Sequence, residues 1–112
     1  MTICEAGDVA IVPFPFTDMA VAKPRPALAL SAEKANGESG NTIFAMITTA
    51  AKSHWPTDVP LADAEAAGLT AASLVRLKLF TLDNRMVARK IGALSPRDRT
   101  AVRKMLRAVV GV

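Results

Sequence analysis

Cysteine and histidine are nearly missing from this chain, with Cys4 and His54 as single examples. One thiol excludes an internal disulfide and fits a reducing compartment; so close to a terminus it reads as incidental. One histidine with one cysteine leaves no zinc-ligand spacing, so no metal and no cofactor is expected. The six glycines are scattered and form no phosphate-cradling loop. No nucleophile elbow accompanies His54, which reads as a loop residue rather than a general base. No apolar run approaches the roughly 18 residues of a membrane-spanning helix, and Met1–Cys4 has neither the basic start nor the apolar core of a signal peptide. The expectation is a cytoplasmic protein with no membrane contact. Acid is scarce at one end: Arg85–Val112 carries eight cations against Asp98 alone, whereas residues 1–84 carry six cations and nine acids. Such a tail is either a solvated basic helix face or an attraction for RNA, DNA or an acidic protein segment.

What is present is a compact, apolar chain. At 112 residues and 51% hydrophobic content, it suits one domain over residues 1–112, near the size at which forming a homodimer helps to bury surface. Gly7–Ser31 organises the rest: two apolar runs, Val9–Pro13 and Pro26–Leu30, flank a segment with Asp18, Lys23 and Arg25. This predicts a strand, a loop and a strand. Pro24 and Pro26 stiffen the backbone on both sides of Arg25, where a long cationic side chain begins its reach. Val9–Val12 is apolar on both faces, as in a strand buried inside a small barrel. Phe14 and Phe16 alternate with Pro13 and Pro15, so both rings point one way in an extended segment, toward a core or a partner surface.

Further along, Pro26–Ser31 is predicted as a strand, Ala32–Asn41 as a surface loop, and Thr42–Thr48 as the strongest strand, leaving the sheet at Thr48-Thr49. Trp55 can stack on a base or cover one end of the barrel. Asp58–Leu61 reads as a short strand, and Ala62–Ala67 as one helical turn ended by Gly68. Ser73–Leu77, Leu79–Leu82 and Met86–Ile91 read as three more strands, with Asp83-Asn84-Arg85 turning between the last two. Ser95-Pro96-Arg97-Asp98 is an N-cap, a proline at the first helical position and an acid at the third. Ala101, Val102, Met105, Leu106, Val109 and Val110 then recur at helical spacing, with Arg99, Arg103 and Arg107 as a basic stripe. The fold class is mainly β (α+β): a barrel-like set of short strands closed by a C-terminal α-helix.

Five blocks in order, GDVAIVPFPFTD, RPALALS, the strand ending Ile47-Thr48, AGLTAASLVRLKLFTLD and IGALSPRD, resemble the PemK/MazF family of toxins. The resemblance implies an SH3-like barrel that dimerises, cuts single-stranded RNA in a sequence-selective way without a metal, and is neutralised by a cognate antitoxin. It implies Arg25 and Thr48 as the catalytic pair, with 2′,3′-cyclic phosphate and 5′-OH products. Asp18, Lys23, Thr49, Ser73 and Arg76 are the further candidates for contact with substrate. The chain departs from the family pattern at Thr49-Ala50-Ala51, where Ser or Ala followed by a polar residue such as Gln is usual. Its PFPFTD loop belongs to a separate branch. Two rival activities share the barrel: poisoning of DNA gyrase, as in the related CcdB toxins, and nucleic-acid binding without cleavage.

Overall fold

The computed structural model describes residues 1–14, 23–50 and 53–111. In chain order the elements are β1 (Asp8–Pro13), β2 (Pro24–Ala29), α1 (Glu33–Ser39), β3 (Asn41–Thr49), β4 (Val59–Pro60), β5 (Ser73–Asp83), β6 (Arg89–Ala93) and α2 (Pro96–Val110). The strands form one antiparallel sheet in the order β4-β5-β3-β2-β1-β6. It curls into a half-barrel, because the turns that follow β4 meet the opposite edge: Ala93 N–H donates to the Ala66 carbonyl at 3.2 Å. Glycine permits that approach. A Cβ on Gly92 would lie 2.4 Å from the Ala67 carbonyl carbon, and one on Gly68, whose φ is +76°, would lie 2.1 Å from the Ile91 oxygen.

Both faces of the sheet carry packed apolar clusters, which is why β1 is apolar from Val9 onward. Val9, Leu28, Ala45, Ile47 and Val75 pack on one face with Val102 of α2. Ala10, Val12, Ala27, Phe44 and Phe80 pack on the other. Phe14 belongs to this second cluster, its ring edge-on to Phe80 at 5.7 Å, so it is a core residue. Phe16 lies outside the described residues.

α2 begins as the sequence predicts: Ser95 caps it by accepting from Asp98 N–H at 3.2 Å, and Pro96 occupies the first turn. Asp98 itself turns inward and accepts from the amides of Ala62 at 2.9 Å and Asp63 at 2.8 Å, fixing the helix to the segment after β4. Of the predicted apolar stripe only Val102 is buried; Met105 and Leu106 are half-buried, and Ala101, Val109 and Val110 face solvent.

Three expectations are corrected. The segment 32–41 is not a loop, since it contains α1. That seven-residue helix has no side-chain cap and is too short to be stable alone. It is held by buried amides: Asn36 Nδ2 donates to the Cys4 carbonyl at 2.8 Å, and Asn84 Nδ2 to the Asn36 carbonyl at 2.8 Å. Secondly, residues 73–83 form one strand rather than two, paired with β3 from Thr49↔Ser73 to Asn41↔Asp83. A register shift between Ala45 and Met46 leaves Leu77 and Lys78 as extra residues on β5, which breaks the alternation there without ending the strand. Thirdly, Asp83-Asn84-Arg85 makes no hairpin. Asn84–Met86 is a 3₁₀ turn, and β6 beyond it pairs with β1.

Candidate functional site

The prolines around Arg25 open a cleft in the sheet. Leu30 N–H donates to the Ile43 carbonyl at 2.8 Å, so even-numbered residues of β2 aim their backbone groups at β3. Phe14 N–H donates to the Lys23 carbonyl at 3.2 Å, so odd-numbered residues aim theirs at β1. Pro24 and Pro26 therefore stand on the β3 side with no N–H to give. The β2–β3 ladder stops at Ala27↔Met46, although β2 extends back to Pro24 and β3 runs on to Thr49. Towards β1 the pairing persists through Val12↔Arg25 and Pro13↔Pro24. One side of β2 stays anchored while the other parts from its neighbour.

Between the parted strands lies a cleft of about 350 Å³, lined from β2 by Arg25 and Pro26, from β3 by Met46 through Thr49, and from β5 by Ser73, with Phe14 also in its wall. Continuing the register places Arg25 opposite Thr48. Both continue the side-chain rows of Ala27 and Met46, on the face away from α2. Arg25 is exposed and Thr48 half-buried. Among the described residues neither the Arg25 guanidinium nor the Thr48 hydroxyl has a hydrogen-bond partner, and the described lining holds no carboxylate. A guanidinium and a hydroxyl that line one apolar-walled cleft, neither with a partner among the described residues, suit an anion with a non-polar part, such as a phosphodiester.

The other expected residues divide. Thr49 and Ser73 join this lining, the Ser73 hydroxyl donating to the Ala71 carbonyl at 2.9 Å. Lys23 is exposed and lies outside the lining. Asp18 falls outside the described residues. Arg76 is placed differently from the expectation of a groove cation: it is buried and four of its N–H groups are engaged. Nε and Nη2 clasp the two oxygens of Asp58 at 3.0 and 2.9 Å, while Nη1 and Nη2 donate to the Ser53 hydroxyl and carbonyl at 2.8 and 3.2 Å. Only one donor of the guanidinium is left over.

Nothing in the sequence singles out Asp58, because its partner stands 18 residues away. It also accepts the Trp55 amide at 2.8 Å. The bond from Arg76 holds its carboxyl below the ordinary value of 3.8, against the opposing effect of burial. Since the folded-state value is the lower one, the pair stabilises the fold above the unfolded value and loses that contribution as pH falls through the folded one. The melting temperature should therefore be level above about pH 5 and fall below about pH 4. Melting curves across that range check this, with Asp58→Asn expected to flatten the fall; an equally steep fall in that variant would exclude the pair as its source.

Among the described residues no group of three or more His, Cys, Asp or Glu side chains could hold a metal ion, and no helix is long and apolar enough to cross a membrane. A second cavity, about 220 Å³, lies beneath α2 between Leu28, Leu30, Leu94, Val102 and Leu106, away from Arg25 and Thr48.

Comparison with known proteins finds relatives of this chain as a whole. Residues 5–110 match the family model of the PemK-like, MazF-like toxins of type II toxin-antitoxin systems. MazF from Deinococcus radiodurans is 23% identical, the alignment covering 100% of each chain with a TM-score of 0.77. The Mycobacterium tuberculosis toxin MazF-mt6 is 25% identical, with 94% of this chain and 97% of that one covered and a TM-score of 0.73. An endoribonuclease solved with its cognate antitoxin, from a mycobacterial species, is 17% identical, with 100% and 97% covered and a TM-score of 0.77. A search of curated proteins returns no significant match.

Proposed function

This chain belongs to the PemK-like, MazF-like toxins of type II toxin-antitoxin systems, and we propose that it is a metal-independent, sequence-selective endoribonuclease acting on single-stranded RNA. The supporting observation is the cleft that Arg25 and Thr48 line together, neither with a competing partner among the described residues. RNA carries its own nucleophile in the ribose 2′-OH. Attack of that oxygen on the adjacent phosphorus forms a 2′,3′-cyclic phosphate and breaks the bond to the 5′ oxygen; the 2′-OH gives up its proton to water and the 5′ oxygen takes one up to leave as a 5′-OH, so that protons balance. Negative charge on the non-bridging oxygens grows in the transition state. The guanidinium of Arg25 can engage two of them at once, supplying preorganised positive charge where it is needed. Thr48 orients the phosphate or the 2′-OH for in-line attack. Thr49 and Ser73 extend the lining toward neighbouring nucleotides, with Lys23 and Asp18 on the segment leading into β2.

The mycobacterial endoribonuclease and a MazF of Deinococcus radiodurans were solved with their antitoxins, the latter with MazE. A cognate antitoxin is the partner expected for this chain, with a homodimer as its working form and the cytoplasm as its location. Exposed Ile43, Leu79 and Met86, each more than a third accessible, are apolar surface that a second copy would cover.

Purified protein of dimeric mass by light scattering is expected to cut long single-stranded RNA in EDTA at a restricted set of sequences, leaving 5′-OH ends in an end-mapping assay. RNA left intact in EDTA but cut on adding magnesium would overturn the metal-independent chemistry. Intact RNA under both conditions would overturn the nuclease reading.

A further inference from the structure

Trp55 is a large apolar ring left 39% exposed, yet its surroundings hold it in place. Arg76 lies beneath it with the guanidinium carbon 4.9 Å from the ring centroid. That cation is fixed in turn by the buried Asp58, which also takes the Trp55 amide at 2.8 Å. One face of the indole thus rests on an immobilised guanidinium while part of the ring meets solvent. A ring ordered before binding loses little freedom when a ligand stacks on it.

The position is as informative as the rigidity. Arg76 is the cross-strand partner of Met46, and Met46 lines the cleft between Arg25 and Thr48. The indole is therefore carried by the residue paired with the cleft wall. A ligand that presents phosphates and flat aromatic faces in turn, as a single-stranded nucleic acid does, matches a cation-and-hydroxyl cleft with an aromatic platform beside it.

We propose that Trp55, seated on Arg76, is a nucleobase-stacking platform that binds a base next to the scissile phosphate. This rests on the reading of the cleft as an RNA site and deepens it: Arg25 and Thr48 engage the phosphate, while Trp55 grips a neighbouring base. Arg76 and Asp58 are positioning residues that act through the indole. Stacking tolerates any base, so Trp55 contributes affinity and placement more than sequence choice.

Trp55 is the one tryptophan in a chain with no tyrosine, so intrinsic fluorescence reports on this ring directly. The probe is a random-sequence 2′-O-methyl RNA oligonucleotide, which has no free 2′-OH for the reaction, beside a matched strand of abasic residues. The base-bearing strand should quench the emission and the abasic strand should leave it unchanged. In anisotropy titrations of the labelled oligonucleotide, Trp55→Leu should bind about five- to a hundredfold more weakly, with Trp55→Phe retaining most of the affinity. Binding with unaltered emission, or equal affinity in Trp55→Leu, would overturn the platform and leave the nuclease reading standing. Absence of binding together with absence of RNA cleavage would remove both.

Discussion

With Arg25 replaced by alanine, single-turnover RNA cleavage is expected to fall by about two to three orders of magnitude, the effect of removing one preorganised donor from a developing anion. Stability should hardly move, since exposed substitutions usually stay within about 0.5 kcal/mol and Arg25 is exposed with no partner among the described residues. Arg25→Lys should recover little, because an ammonium is a point charge without the two-pronged geometry that matches a phosphate. Rates from quenched time courses, beside melting curves of the same preparations, check both halves. Parent-like cleavage by Arg25→Ala would remove Arg25 from the chemistry, and a large drop in melting temperature would make it a structural residue instead.

Asp58→Ala is expected to have the largest effect on the fold, about 3–5 kcal/mol, because it leaves the Arg76 charge without its partner. Both side chains are deeply buried, at 8% and 1% accessible for Arg76 and Asp58, so water cannot replace the lost carboxylate. Against a typical stability of about 5–15 kcal/mol, such a loss brings a small domain close to unfolding. Urea denaturation measures it. Replacing both partners by apolar residues, Asp58→Leu with Arg76→Met, should recover much of the loss, since no unpaired charge then remains. A small effect of Asp58→Ala would show that Arg76 can reach solvent. The same variant should let Trp55 move, linking this ion pair to the indole it supports.

Strands that alternate clearly and are bounded by turn residues are legible in the amino-acid order alone. The predicted spans of β1 and β3 match the observed ones to within a residue or two at their ends, and α2 follows from its cap, its first-turn proline and its apolar spacing. Arg25 and Thr48 are singled out by the family resemblance alone, and the structure adds that both line one cleft, where they continue the neighbouring side-chain rows of β2 and β3 beyond the last paired residues. Arg76 is misplaced by sequence reasoning because an arginine in an alternating strand looks the same whether it faces solvent or a buried carboxylate. β5 divides in two on the same reasoning because its bulge mimics a strand end. α1 escapes it because EKANGES has an interior glycine and asparagine and no cap, so nothing local favours a helix.

Local features are fixed by the residues themselves: prolines at 24 and 26, whose missing N–H groups no packing can restore, and Ser95-Pro96, which starts α2 wherever that helix docks. Packing between distant segments settles that those prolines face β3 and so open a cleft opposite Thr48 rather than a gap beside β1. It also settles that Asn36 and Asn84 pair to hold α1, and that Asp58 claims Arg76 and thereby props up Trp55. All three outcomes share one cause. Each depends on which groups are brought together across many residues of chain, and a buried polar group is governed by the partner it finds there rather than by its neighbours in sequence.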